Sequence, residues 1–467
     1  MEKQVQHLSL RDMILNRRGA PVRRLIHAVI SIALRLFFRR IETVNAGEVP
    51  YKGALIFVMN HPNGLIDPAL VFVALPRKTS FLAKSTLFKM PVISYVLRVI
   101  ETLPVYRKID SADVSENSKT FEASHELLRK GGSIALFPEG VSHSSPKLLP
   151  IKTGAARIAL GALSLDRKDE PTDLKIVPVG LFYTNKTSFR SEALLHFGTP
   201  FPVNAVSTNG EETPREEVRK LTEKIENALR EVTLNAENEA AIETADQAAN
   251  LFLSVSETVD LEETLFAKFE FVRKFLDSDG SDETVQIDAE KITRRISKYK
   301  KKLRIIGLEP ENLSLSSQPF WYVFQHFLLR VLLLLIFSPL AIAGTILHFP
   351  AYQLSKILAS RYTNHGVDDI ISTVKILSGI VFMPATWLAA GGILYYFYGW
   401  NLALISIPIS FLCGYAALRT WEEIADLRGW FRSISLFYLK RDLFVELLKE
   451  RRTLHNSLIN GRIDPKK

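Results

Sequence analysis

The sequence predicts an α/β domain, then a helical region, then a membrane-embedded C-terminal part, and three observations carry that expectation. Short apolar runs such as Ala54–Met59 and Ser133–Phe137 read as buried strands, and each leads straight into a polar loop. Beyond residue 208 the apolar residues fall at helical spacing in strongly charged sequence. Within 319–420 the chain becomes almost continuously apolar in three stretches. The boundaries drawn on these shifts are a basic N-terminal segment 1–44, an α/β domain 45–208, a charged helical region 209–318, a membrane domain 319–420 and a basic tail 421–467.

The N-terminal segment is basic, with nine Lys/Arg against two acids over residues 1–40, a surplus of seven out of the chain's +9. Its apolar run from Leu25 to Phe38 is short and is interrupted by His27 and Arg35, which predicts a helix lying at the membrane interface rather than crossing it, with an ordinary domain helix carrying a basic face as the alternative. Arg39-Arg40 follow that run where a cleaved signal would carry small residues, so no signal peptide is read.

The strand Ala54–Met59 runs into Asn60-His61-Pro62-Asn63-Gly64-Leu65-Ile66-Asp67-Pro68, and Pro68 to Leu75 reads as a helix with proline in its first turn. A base and a carboxylate therefore share one strand-to-helix loop. The plainer alternative is a turn built by Pro62, Asn63 and Gly64 in which His61 only caps backbone groups. A second strand, Ser133 to Phe137, ends in Pro138-Glu139-Gly140 and the hydroxyl-rich Ser142-His143-Ser144-Ser145. Between the two lies Leu103-Pro104-Val105-Tyr106-Arg107-Lys108, and beyond them Lys175 to Tyr183.

The order Asn-His…Asp, Pro-Val-Tyr-Arg, Phe-Pro-Glu-Gly and Val-Pro-Val-Gly resembles the four blocks of the glycerolipid acyltransferases, over roughly residues 45 to 205. The run from Gly140 to Lys152, with Phe189-Arg190-Ser191, is most similar to the yeast-type glycerol-3-phosphate/dihydroxyacetone-phosphate acyltransferases and their bacterial relatives. The chain departs from the family at one point: five residues separate His61 from Asp67, where four are common. The resemblance implies an α/β domain with a mixed sheet flanked by helices, and an acyl chain held in an apolar channel.

It also implies roles. Moving an acyl group from a thioester to an alcohol requires a base for the hydroxyl proton, and an imidazole of ordinary pKa near 6.5 suits that task at neutral pH. His61 is the expected base, with Asp67 holding its tautomer and balancing the imidazolium. Cys413 is the single cysteine and lies in an apolar stretch, and no Gly-x-Ser-x-Gly elbow occurs near the blocks, so direct attack by the acceptor is expected rather than an acyl-enzyme. Arg107 offers a planar fork for the acceptor phosphate, with Lys84 and Lys152 adding charge, although each of these cations could equally be a solvated surface group. Glu139 is expected to accept hydrogen bonds from acceptor hydroxyls, the backbone N–H groups of Gly140 and Val141 to approach an oxyanion or phosphate, and Ser142 to complete the substrate-facing set.

The expected function is acyl transfer from acyl-CoA or acyl carrier protein to the sn-1 hydroxyl of glycerol-3-phosphate, with no cofactor beyond that co-substrate. Alternatives are a lysophosphatidate or other lysophospholipid acyltransferase, or a catalytically idle relative that binds lipid or scaffolds a complex. Nucleic acid is not an expected partner despite a pI near 9.3, because the positive charge flanks apolar segments and no recognition motif appears. Membrane lipids are.

Across residues 211–290 there are 22 acids against eight Lys/Arg, and then eight cations with no acid from Lys291 to Arg304. The spacing of Val218, Leu221, Ile225, Leu229 and Val232 predicts a helix. Asp277-Ser-Asp-Gly-Ser-Asp282 looks like a calcium loop but lacks the terminal Glu and reads as a turn, so no metal site is assigned. The apolar runs Leu328–Leu347, Ile376–Trp400 and Leu402–Leu418 are each near or above the length of a crossing. Three crossings would put the cationic tail opposite the catalytic domain. Pro339 is therefore expected to break the first run into a re-entrant hairpin, leaving an even number, with the catalytic domain on the cytoplasmic face.

Overall fold

The computed structural model describes residues 3–15, 18–75, 77–110, 113–163, 173–206, 214–253, 264–278, 283–308, 320–363 and 371–460. The chain divides into two units, residues 1–235 with 362–376, and residues 236–361 with 377–467.

The first unit is built on a mixed sheet. Its strands are β1 (Val5–His7), β2 (Arg40–Val44), β3 (Ala54–Met59), β4 (Ser80–Lys84), β5 (Leu103–Val105), β6 (Ser133–Leu136), β7 (Leu174–Tyr183), β8 (Glu192–Phe197) and β9 (Phe201–Pro202). They lie in the order β1-β2-β8-β7-β3-β6-β4-β5, with β9 also paired to β7. The stretch β7-β3-β6-β4-β5 is parallel throughout, β8 is antiparallel to β7 and parallel to β2, and β1 closes the edge antiparallel to β2.

All six residues of β3 are buried because helices cover both faces of the sheet, which is why this strand reads as a continuous apolar run rather than an alternating one. Leu55, Phe57 and Met59 face one core with Leu70 and Val73, whereas Ala54, Ile56 and Val58 face the other with Ala156, Ala159 and Leu229. The first core is covered by α2 (Pro21–Phe37) and α3 (Ile66–Ala74), reached from the short α1 (Leu10–Leu15), with α4 (Pro91–Val99) beside them. The second lies under α5 (Asn117–Arg129), α6 (Gly154–Ala162) and α7 (Arg215–Val232). Each large apolar side chain buried here stabilises the fold by roughly 1.5–3 kcal/mol.

Two domain boundaries move. The segment 1–44 is not separate from the α/β domain: β1 and β2 belong to the sheet, and α2 buries Leu34 and Phe37 in the first core. It also buries Arg23, which donates to the carbonyls of Ile100 (2.6 Å) and Thr79 (3.0 Å), while Val22, Leu25 and Val29 are exposed. At the other end α7, expected in the charged helical region, buries Val218, Leu221, Ile225, Leu229 and Val232 against the sheet. Its end lies so close to β7 that a Cβ on Gly180 would collide with the Val232 carbonyl, so only glycine fits there.

The second unit is helical, with α8 (Glu239–Leu253), α9 (Leu265–Ser278), α10 (Glu283–Ile306), α11 (Phe320–Thr363), α12 (Ile371–Tyr398), α13 (Trp400–Leu439) and α14 (Arg441–Asn460). The terminal residues of α11 and the first six of α12 belong to the first unit. In the basic part of α10, Tyr299 and Leu303 are buried and Lys302 pairs with Glu450 at 2.8 Å, so that stretch is an amphipathic helix face. The Asp277–Asp282 cluster runs out of the described residues after Ser278.

Three helical segments, Phe327–Arg361, Ile371–Tyr398 and Trp400–Leu439, are long and apolar enough to cross a membrane. The first runs unbroken through Pro339, contrary to the expected hairpin. Proline removes the N–H that would bond the carbonyl four residues earlier, and here Ser338 Oγ donates to that same Leu335 carbonyl at 2.8 Å. A neighbouring hydroxyl thus replaces the missing donor and the helix continues.

Candidate active site

The strands adjacent at the centre of the sheet, β3 and β6, send their chains in opposite directions. From β3 the chain crosses through α3 to β4 on one side, and from β6 it crosses through α6 to β7 on the other. The crevice outside the carboxyl ends of two such strands is where open α/β sheets hold their ligands. His61 follows β3 and Glu139 follows β6, so the two loops meet in that crevice.

His61 Nδ1 lies 2.8 Å from Asp67 Oδ2, which closes the pair across the five-residue interval. The longer loop is absorbed by a turn in which the N–H groups of Ile66 and Asp67 reach the Asn63 carbonyl, bringing Asp67 back under the ring at the start of α3. The Asp67 carboxylate is fully buried, and each of its oxygens is engaged. Oδ2 also accepts the Asn63 N–H at 2.7 Å, and Oδ1 accepts the Tyr183 hydroxyl at 2.5 Å. Burial, then the Asp67 charge and hydrogen bond, push the Tyr183 phenol well above its ordinary pKa, so it stays a donor. With Nδ1 committed to Asp67, Nε2 is the nitrogen left for a substrate.

The imidazole stacks on Phe137 at a centroid distance of 4.0 Å and 17° between planes, and its side chain is 17% exposed. Asn60 fastens the loop to β7 as a ladder rung would: its Nδ2 donates to the Leu181 carbonyl at 3.0 Å and its Oδ1 accepts the Leu181 N–H at 2.7 Å.

Glu139 is buried and faces inward, not toward an acceptor hydroxyl. Its Oε1 accepts the His61 backbone N–H at 2.9 Å, and its Oε2 accepts the Leu149 N–H at 2.8 Å and pairs with His143 Nε2. The His143 N–H in turn donates to the His61 carbonyl at 3.1 Å. An unpaired carboxylate is expensive to bury, and this one is stabilised by three donors, two of them backbone. The expected oxyanion donor at Gly140 is also engaged, since its N–H closes the turn onto the Phe137 carbonyl at 3.0 Å. Gly140 has φ of +76°, the left-handed region that favours glycine.

The predicted cations gather on the same corner. Arg107 Nη1 donates to the Gly140 carbonyl at 2.6 Å, and a Cβ on Gly140 would lie 2.5 Å from Lys152 Nζ. The rest of the Arg107 fork is closed on Asp110, with Nε to Oδ2 at 2.6 Å and Nη2 to Oδ1 at 2.9 Å. The hydrogen bond from Arg107, and then the positive charges of Arg107 and Lys84, hold the Asp110 carboxyl below its ordinary pKa. Lys84 and Lys152 are exposed, and Ser142 is half-buried between Gly140 and His143. The residues expected from sequence therefore converge, with Glu139 and the Gly140 N–H turned to structural use.

The structure adds Tyr183, Phe137 and Asp110, which sequence reasoning missed. It also adds the first turns of α12. Thr373 Oγ1 accepts the Leu65 N–H at 3.3 Å, Ser372 Oγ donates to the Lys186 carbonyl, and Lys375 Nζ reaches the Thr187 carbonyl at 2.6 Å. Asn63 Nδ2 also donates to that Lys186 carbonyl, so these turns are tied to the loop that carries His61.

Residues 40–181 match the Acyltransferase family model, and residues 251–464 match that of the glycerol-3-phosphate acyltransferase 2 C-terminal domain. Glycerol-3-phosphate O-acyltransferase 2 of Saccharomyces cerevisiae is 28% identical over 381 residues, 75% of this chain and 49% of its own length. Glycerol-3-phosphate O-acyltransferase 1 of the same yeast is 25% identical over 399 residues, 80% of this chain and 50% of its own. The chain thus spans about half the length of either yeast relative. The crystal structure of the 1-acyl-sn-glycerophosphate acyltransferase from Thermotoga maritima aligns with a TM-score of 0.33 at 19% identity, covering 46% of this chain and 82% of that one. The chain thus carries an acyltransferase domain that contains the His61–Asp67 pair, followed by a domain matching the glycerol-3-phosphate acyltransferase 2 C-terminal type.

Proposed function

We propose that this chain is a membrane-bound acyltransferase that moves a fatty acyl group from a CoA or carrier-protein thioester to the sn-1 hydroxyl of glycerol-3-phosphate, an early step toward phosphatidic acid. The observation that carries the reading is the closed His61–Asp67 pair set beside the Arg107–Gly140 corner in one crevice. A base and a cationic site on adjoining loops suit a small acceptor with its hydroxyl at one end and its charge at the other. The names of the two yeast relatives support glycerol-3-phosphate as that acceptor.

In the proposed step His61 Nε2 takes the acceptor's hydroxyl proton as the oxygen attacks the thioester carbonyl carbon. Asp67 stabilises the imidazolium and keeps Nδ1 protonated. When the tetrahedral intermediate collapses, the carbon–sulfur bond breaks and His61 returns the proton to the departing thiolate, giving ester and free thiol. Arg107, with Lys84 and Lys152, holds the acceptor phosphate. The three apolar helices anchor the enzyme where its amphiphilic product belongs, with the catalytic unit on the cytoplasmic face.

The test is purified full-length protein in detergent, assayed with glycerol-3-phosphate, dihydroxyacetone phosphate and lysophosphatidate against acyl-CoA and acyl carrier protein donors. Glycerol-3-phosphate is expected to give the highest kcat/KM, and His61→Ala to lower turnover by roughly 10²- to 10⁴-fold with unchanged membrane attachment. Undiminished turnover in that variant would remove His61 as the base. Preference for lysophosphatidate would move the reaction to the second acylation.

A further inference from the structure

The Arg107 fork, proposed above to hold the acceptor phosphate, already holds a carboxylate. Asp110 accepts from Nε and Nη2 of the guanidinium in a side-on bidentate arrangement that a phosphate could also use, at 2.6 and 2.9 Å. Three features set this pair apart from an ordinary surface ion pair. It stands among further cations, since the carboxylate feels Lys84 as well as Arg107, and Lys152 Nζ stands against Gly140, whose carbonyl Arg107 holds. Arg107 has a separate tether, Nη1 to the Gly140 carbonyl at 2.6 Å, which does not depend on Asp110. Finally, the partners are three residues apart in one short turn and are both partly exposed, at 21% and 16%, so Asp110 can swing away without unfolding anything around it.

We propose that Asp110 is a resident carboxylate that occupies the phosphate position on Arg107 and is displaced by the phosphate of the acceptor. This rests on the assignment of Arg107 to the acceptor phosphate. The exchange has a simple electrostatic logic. Three cations and one carboxylate leave the corner with a surplus of two positive charges, close to what a phosphate monoester carries in negative charge near neutral pH. With Asp110 in place the guanidinium is held between that carboxylate and the Gly140 carbonyl, and a ligand must compete with an internal anion to bind. A neutral acceptor cannot compete for the fork, whereas a dianion can. The device therefore raises KM for the phosphorylated acceptor, because only the fraction of protein with the fork vacated can bind it.

The competing explanation is that Asp110 only positions Arg107, and the two predict opposite signs. Initial rates of the full-length protein in detergent are measured against glycerol-3-phosphate at saturating acyl-CoA for the parent, Asp110→Asn, Asp110→Ser and Arg107→Ala. Removing the resident charge is expected to lower the KM for glycerol-3-phosphate by about three- to tenfold in both Asp110 variants, consistent with the modest strength of a partly exposed ion pair. The KM for acyl-CoA should stay as it is, and Arg107→Ala should raise the KM for glycerol-3-phosphate at least about tenfold. A KM that is unchanged or higher in the Asp110 variants, alongside the Arg107 loss, would overturn displacement and leave the phosphate assignment standing. If Arg107→Ala also leaves that KM untouched, the phosphate assignment itself falls. Failure of both Asp110 variants to fold would make the carboxylate structural and would overturn the proposal as well.

Discussion

Glu139→Gln separates two roles that the same residue could fill. In the structure the carboxylate is buried beneath the catalytic loop and accepts from the His61 N–H, the Leu149 N–H and His143. Glutamine matches its shape but must place an NH₂ where one oxygen was. Facing His61, it would oppose one backbone donor with another; facing Leu149 and His143, it would oppose two groups at once. The milder choice still leaves the His61 N–H buried without an acceptor, at about 1–3 kcal/mol, and weakens the other bonds by removing their charge assistance. The sum is about 2–4 kcal/mol, which for a unit of this size lowers the unfolding temperature by roughly 5–12 °C. Displacing the backbone of His61, the proposed general base, by even a fraction of an ångström should reduce kcat by roughly 10- to 100-fold while leaving KM for glycerol-3-phosphate within about twofold. Thermal unfolding monitored by near-UV circular dichroism, with steady-state kinetics on the same preparation, measures all three quantities. A variant of parental stability whose only defect is a raised KM for the acceptor would refute the inward role and restore Glu139 to the substrate.

Further expectations concern Tyr183 and Ser338. The fold raises the Tyr183 pKa, so the neutral phenol's contribution is fully present below the ordinary tyrosine value of about 10 and is lost as pH climbs through it toward the raised folded value. The stability advantage of the parent over Tyr183→Phe should therefore shrink between about pH 9.5 and 11 in denaturant titrations, by at most about 1.4 kcal/mol per pH unit, and an advantage constant across that range would refute the assignment. In α11, Ser338→Ala should destabilise the parent by about 0.5–1 kcal/mol in detergent unfolding but have almost no effect in a Pro339→Ala background, where the Leu335 carbonyl regains its backbone donor. Equal effects in the two backgrounds would dissociate the hydroxyl from the proline.

What the sequence disclosed was set by how local each determinant is. The strands around His61 and Glu139 were readable because helices cover both faces of the sheet and the runs are unbroken in apolar character. The same holds for α7, whose inward stripe follows the helical period. The packing of the N-terminal segment on the sheet was not legible because α2 buries Arg23, His27 and Ser31 while exposing Leu25, an inversion in which Arg23 depends on carbonyls contributed by Thr79 and Ile100 far along the chain. In the site, His61, Asp67 and Arg107 could be picked out by residue type and place. The direction Glu139 faces could not, because a Pro-Glu-Gly turn fixes the backbone and leaves the side chain to partners at 61, 143 and 149. Tyr183 is 116 residues from the aspartate it serves, at the end of a strand where a phenol is ordinary, so only pairing β7 with β3 reveals it.

The turns of α12 at Ser372, Thr373 and Lys375 make the site discontinuous along the chain. A contiguous piece cut at Asn235 would keep every residue that touches the proposed chemistry, yet would leave the Leu65 amide and the Thr187 carbonyl without these partners and the Lys186 carbonyl with Asn63 but not Ser372. A fragment that keeps those bonds is therefore a spliced one, and a cut at Asn235 removes a brace that linear numbering conceals.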